Sequence, residues 1–255
     1  MSTLMPQRLV RRWLAPFDCF LAWTQFLEQK FEGIGVPAQK IHRTTLGLNP
    51  ERFPEVAAKS VGDPIFYFFG LLTPGRGALD AVEAFALVQD QLPSAKLVIA
   101  DRQHQLVRDR SYLGAKRVEL GERLKALGLQ DNVIIRGFVP NVLGSMREAD
   151  VVVLPFRSSA GYSQPPLTVL ESLALGLPVV SSNVGCISEV VPPPPHGFLV
   201  EPRSPAQLAE AMITAWRTDN DSLRLERRQH ILAKFSWPRS VDLIEAEYSI
   251  LANSK

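Results

Sequence analysis

The sequence has little cysteine, and what it has is scattered. Cys19 and Cys186 are far apart and lack Cys-x-x-Cys spacing. That argues against a disulfide framework or a thiolate metal site and makes a reducing cytoplasm the default compartment. Histidine is equally sparse: His42, His104, His196 and His230 form no metal-ligand or catalytic group. No metal or cofactor is therefore implied. Long apolar runs are also missing, since no stretch reaches the roughly 18 residues of a membrane span. Charge of one sign is not in excess. A net charge of +2 and a pI near 8.6 are too mild to argue for nucleic acid as a partner.

What remains is an ordinary soluble composition, 46% hydrophobic and 21% charged. Over 255 residues it can bury the core of one large or two small domains. Near the start, Arg8, Arg11 and Arg12 lie beside Leu9, Val10, Trp13 and Leu14. Such a stretch could rest on an anionic membrane surface, or it could be a frayed or partner-covered terminus. Pro16 and Asp18 interrupt the apolar part and no small-residue cleavage site follows, so a signal peptide is not expected.

From residue 64 onward, strands and helices alternate. Short apolar runs at 65–69, 96–100, 133–135, 151–154, 179–181 and 198–200 read as buried strands. Helical spacing recurs between them, as in GALDAVEAFALVQDQ at 77–91 and in a short helix over 142–149. A further helix follows Ser204 as N-cap and Pro205 at the first position. Continuous apolar strands between helices indicate an α/β fold with a doubly wound parallel sheet, whose ligands bind outside the strand carboxyl ends. Before residue 50 the pattern is a strand (17–22), a helix (24–34) and a strand (41–46), too small for a core of its own. The expected division is 1–50, a connecting segment 51–63, a main domain 64–235 and a terminal amphipathic helix over 236–255.

The chemistry concentrates in residues 158–182, SSAGYSQPPLTVLESLALGLPVVSS. A polar loop runs into Pro165-Pro166, a helical pattern follows and closes at Gly176, and Pro178 opens an apolar strand. Proline fits a helix start, where its missing N–H costs nothing. The amides of Leu167 and Thr168 would then face outward, where an anion such as a diphosphate is favoured. Glu171, one turn beyond Leu167, can accept hydrogen bonds from hydroxyls of the same ligand. Amides for phosphates and a carboxylate for ribose describe a nucleotide-sugar site. The bland alternative is one more βα unit with a solvated glutamate. A second loop, GLLTPGRG at 70–77, has the Gly70-x4-Gly75 spacing of a P-loop. Arg76 and Gly77 stand where lysine and a hydroxyl residue belong, so an NTPase reading lacks its magnesium ligand.

The 158–182 segment is similar to the donor-site motif of retaining GT-B glycosyltransferases, especially glycosyltransferase family four. Those enzymes carry two glutamates eight positions apart, then a small-residue helix, Gly, Pro and two β-branched residues. Glu171 matches the second glutamate, and Ser163 stands where the first, sugar-proximal one would be. The family's Gly-Arg-Leu…Lys-Gly loop is matched at Gly70, Leu72 and Gly77. Arg76 takes the place of the lysine, and Leu71 replaces the arginine. The resemblance implies that Arg76 neutralises the departing diphosphate, and that loss of the second cation weakens donor binding or turnover. GFVPNVLGSMREADVVVLPF (137–156) resembles the family's nucleobase-binding stretch, which assigns Phe138 and Val139 to the base edge. Asp150 within it is expected to cap or end the short helix. GVPAQKIHRTTLGLNPERF (35–53) and the FSWPRSV start of the last helix match the family's inter-domain junction and terminal helix.

The resemblance, covering roughly residues 17–251, implies a Rossmann-like nucleotide-sugar-binding domain with a remnant of the amino-terminal acceptor domain. It also implies hexosyl transfer with retention from a nucleoside-diphosphate sugar, in a cleft whose other wall a second polypeptide would supply, unless the chain is a truncated product. Two alternatives stay open. One is a non-catalytic nucleotide-sugar-binding or regulatory subunit, favoured by Leu71 and Ser163. The other is a sugar-nucleotide epimerase relative.

Overall fold

The structure, a computed structural model, describes residues 12–53, 55, 56, 59, 62–101, 110–137, 139–159 and 165–253, without the side chains of 110–113. Of the expected features, Arg8, Leu9, Val10 and Arg11 of the basic stretch, Phe138 and Ser163 lie outside the described residues. The chain divides into two compact units, Met1–Arg52 with Leu232–Lys255, and Phe53–Ile231.

In the smaller unit, Phe20–Ala22 (β1) pairs in parallel with Ile41–Arg43 (β2) across the helix Gln25–Gly33 (α1). Thr24 is extended, and its hydroxyl accepts the Leu27 amide at 3.2 Å, which fixes the start of α1. The first strand is shorter than its apolar run. Phe17 donates its amide to the Leu14 carbonyl at 3.1 Å, and its own carbonyl takes the Lys40 ammonium at 2.8 Å, so residues 14–17 close a turn instead.

The larger unit holds six strands: Ile65–Gly70 (β3), Lys96–Asp101 (β4), Val133–Arg136 (β5), Val151–Leu154 (β6), Val179–Ser182 (β7) and Gly197–Val200 (β8). They form one parallel sheet in the order β5-β4-β3-β6-β7-β8. The helices described are Ala78–Gln89 (α2), Arg110–Ala126 (α3), Val142–Met146 (α4), Leu167–Ala174 (α5), Ile187–Val190 (α6), Pro205–Thr218 (α7) and Asp221–Lys234 (α8). The doubly wound α/β expectation is met. On one face Phe66 and Phe68 enter a core with Val82 and Phe85 of α2, Leu120 of α3, and Met212 of α7. On the other face the Tyr67 hydroxyl bonds Ser145 of α4. A strand buried on both faces needs no polar alternation, which is why IFYFFG reads as a continuous apolar run.

Asp150 does not cap the short helix before it. Its carboxylate accepts the Ile65 amide at 2.9 Å, while its own amide donates to the Ile65 carbonyl at 2.8 Å. It therefore ties the amino ends of β3 and β6 together. Two helices, α6 and α8, escape the periodicity reading. In α8 the buried positions are Arg224, Arg227 and Ile231, so its inward stripe is largely charged and leaves no apolar signature. Arg227 donates to Asp219 at 2.5 Å, to the Gly176 carbonyl at 2.9 Å and to the His196 carbonyl at 2.8 Å. Arg224 donates to the other oxygen of Asp219 at 2.6 Å. The guanidinium of Arg227 is held below its ordinary pKa by burial, against the pull of Asp219.

The last helix, Trp237–Asn253 (α9), belongs to the smaller unit. There Leu48 bridges Ser236, Ser240 donates its hydroxyl to the Thr45 carbonyl at 2.7 Å, and His42 meets Glu247 at 2.6 Å. Among the described residues no helix is long and apolar enough to cross a membrane.

Candidate functional site

In the sheet, β3 and β6 are neighbours, yet the chain leaves β3 toward β4 and β5 and leaves β6 toward β7 and β8. The carboxyl ends of such a pair diverge into a crevice, where ligands of open α/β sheets bind. The segments that follow these strands carry most of the site residues expected from the sequence.

After Gly70 the chain makes a tight turn, Pro74–Arg76, then enters α2 through Gly77 in the left-handed region (φ 75°). Arg76 folds back over the end of β3. A β-carbon on Gly70 would lie 3.9 Å from Arg76 Cδ, an ordinary van der Waals separation, so the arginine stem passes directly beside the end of the strand. The Arg76 guanidinium also lies 5.4 Å from the centre of the Phe156 ring, within cation–π range.

α5 begins at Leu167, with Pro166 as N-cap at φ −65° and no side-chain cap. Its first internal bonds run from Val169 and Leu170 to the Pro166 carbonyl. The amides of Leu167 and Thr168 therefore precede the first donor of the helix, at the positive end of its dipole. Glu171 is half-buried one turn on and shares a face with Thr168.

A cavity of about 100 Å³ gathers Gly70, Leu71, Arg76, Val139 and Thr168, together with Asp101. Four site residues expected from three separate motifs thus meet in one place. Leu167 and Glu171 do not line this cavity but stand on the helix whose first turn does. Asp101, 1% exposed at the end of β4, is a cavity residue that motif reasoning missed. The signal was present: a carboxylate ending an apolar strand of a parallel sheet lies where ligands bind.

Among the described lining residues, Arg76 is the only cation and Asp101 the only anion. Arg136, at the end of β5, is committed elsewhere. It pairs with Glu148 at 2.6 Å and reaches the Tyr67 hydroxyl at 3.2 Å, and the Glu148 bond raises its pKa above the usual arginine value. No three potential metal ligands come together among the described residues. Asp219 and Asp221 have the one-residue spacing of some metal sites, yet both are structural. Asp219 holds the two buried arginines, and Asp221 accepts the Lys59 amide at 2.8 Å.

The family model for glycosyl transferases group 1 matches residues 50–230, most of the chain. The chain belongs to this family. Among its relatives is the amylovoran biosynthesis glycosyltransferase of Erwinia amylovora, 27% identical over 207 residues, covering 79% of this chain and 48% of that protein. The group 1 glycosyltransferase chain spans about half the length of the curated relatives it matches. Solved GT-B glycosyltransferases share its fold. The Anabaena HepE protein, in complex with UDP and glucose, superposes with a TM-score of 0.75 at 18% identity, over 96% of this chain and 66% of its own. The sucrose-phosphate synthase of Thermosynechococcus elongatus gives 0.77 at 22% identity, over 98% of this chain and 62% of its own.

Proposed function

We infer that this group 1 glycosyltransferase chain is the nucleotide-sugar half of a retaining hexosyltransferase of the family-four type. The observation that carries this reading is the convergence of Gly70, Arg76, Val139 and Thr168 on one cavity beside the switch point of the sheet. In this proposal the amides of Leu167 and Thr168 hold the diphosphate, Glu171 holds the ribose hydroxyls, and Phe138 and Val139 border the base. Arg76 stabilises the charge that builds on the nucleoside diphosphate as the glycosidic bond breaks. Ser163 takes the sugar-proximal position, and no metal ion is required. The HepE protein crystallised with UDP and with UDP-glucose supports a nucleotide sugar as the ligand class. A second polypeptide or domain supplies the acceptor side.

Leu71 supports a second reading. It lines the same cavity where the family places an arginine, which suits a subunit that binds a nucleotide sugar without turning it over. Titration calorimetry with a panel of nucleoside diphosphates and their sugars tests the site that both readings share. Wild type should bind one of them, and Glu171→Ala should weaken it about tenfold or more through the lost bonds to a charged acceptor. No binding across the panel, or binding indifferent to Glu171→Ala, would sink the site. Transfer with retained anomeric configuration, followed by NMR, separates enzyme from binding subunit.

A further inference from the structure

Arg157 stands two residues after Pro155 in the segment leaving β6, and none of the roles above uses it. Its guanidinium forks onto Asp80 in the first turn of α2, Nε to Oδ2 and Nη2 to Oδ1, both at 2.7 Å. Its backbone amide donates to the Gly75 carbonyl at 2.9 Å. One residue thus grips both sides of Arg76, through the turn before it and the helix after it. Gly77 and Pro155 are in backbone contact at the same place, and the Arg76 guanidinium lies over Phe156.

Two outcomes can be imagined for such an arginine near a diphosphate site: a second phosphate ligand, or a brace. The electrostatics favour the brace. The bidentate bond to Asp80 holds the Arg157 pKa above the ordinary arginine value, and Glu83 and Glu119 add further negative charge around it. The Asp80 side chain is 4% exposed, so the carboxylate has little solvent to replace its partner. A guanidinium already neutralised in this way attracts an anion weakly. Lys116 and Arg123, the nearby cations, are themselves paired with Glu119 and Glu83.

We propose that Arg157 is a positioning residue that fixes Arg76 toward the diphosphate through its paired grip on Asp80 and Gly75. The proposal rests on the nucleotide-sugar reading of the cavity. It predicts that the Asp80–Arg157 pair governs diphosphate recognition without touching the ligand. A preorganised cation stabilises charge without reorganising when charge develops; a loosened one does not.

The test is calorimetry on the full chain with nucleoside diphosphates and the matching monophosphates, for wild type, Arg157→Ala, Arg157→Lys, Asp80→Asn, Arg76→Ala and Arg76→Ala/Arg157→Ala. Thermal unfolding of each variant accompanies it, and the milder Arg157→Lys and Asp80→Asn serve if Arg157→Ala does not fold. The expected result is about tenfold weaker diphosphate binding in each Arg157 or Asp80 variant, from the loss of a charge-assisted fork. Monophosphate binding should change less than about twofold, and the double variant should be no worse than Arg76→Ala alone. Equal weakening of both ligands, or additive losses in the double variant, overturns the positioning role while leaving the site intact. A wild-type chain that binds neither ligand overturns the site and the positioning role with it.

Discussion

Gly77 faces the carbonyl oxygen of Pro155 so closely that a β-carbon built on the glycine would lie 1.8 Å from it. The glycine also has φ 75°, which L side chains rarely adopt. Two costs therefore coincide at the point where the turn carrying Arg76 meets the segment leaving β6. Gly128, at the end of α3, isolates one of them, since its φ is 67° and nothing lies within 4 Å of its virtual β-carbon. Gly128→Ala should cost about 1–2 kcal/mol, the left-handed conformation alone. Gly77→Ala should cost about 3 kcal/mol or more, because backbone must also move. Urea unfolding of the two variants gives the comparison; equal losses would show that the Pro155 contact yields freely.

The buried charges at the amino ends of the strands make a second, independent prediction. Asp219 receives Arg224 at 2.6 Å and Arg227 at 2.5 Å, and all three side chains are at most 1% exposed. Removing the carboxylate leaves two guanidinium groups buried without it. Asp219→Ala should destabilise the fold by about 3–5 kcal/mol, the range for breaking a buried pair from one side. Asp219→Leu/Arg227→Met should recover part of that loss, since the uncompensated charge is reduced. A double variant as unstable as the sum of its parts would refute the coupling.

These two examples show why the sequence was legible in some places and not in others. Gly70, Arg76, Val139 and Thr168 follow strand ends or begin a helix, and those positions announce themselves through glycine, proline and apolar runs. Asp101 could have been read on the same grounds, as a carboxylate ending the run KLVIA. The Asp80–Arg157 fork could not, because its partners are 77 residues apart and neither belongs to a motif. α8 was invisible for a different reason. Its buried face carries Arg224 and Arg227, and hydrophobic periodicity has no means of marking a charged interior.

Cys19 supplies a prediction in pH. Burial first, and the negative charge of Glu247 second, raise its thiol pKa above the ordinary value. Both causes disfavour the thiolate, which is the reactive form. Alkylation by iodoacetamide should therefore be slower than that of a free cysteine near pH 8 and rise only at higher pH. A Cys186→Ser background removes the second, fully buried thiol from the measurement. Glu247→Gln should shift the profile partway down, leaving the larger effect of burial. A profile matching that of a free thiol would contradict both causes.

Leu71 offers the sharpest test of what the cavity is built to hold. It lines the cavity next to Gly70 and in the same loop as Arg76, and among the described lining residues only Arg76 is cationic. If the ligand there is a diphosphate, its charge exceeds what one guanidinium neutralises. Leu71→Arg should then tighten nucleoside diphosphate binding about tenfold, with a steeper dependence on salt, because a second cation enters a partly desolvated site. Matching monophosphates should gain less, and uncharged nucleosides nothing. The substitution also trades an aliphatic contact for a charge, so thermal unfolding should show a modest loss of stability alongside the gain in affinity. A gain shared equally by the uncharged nucleoside would place the effect in packing rather than charge, and unchanged diphosphate affinity in a folded variant would mean that the phosphates do not approach this turn.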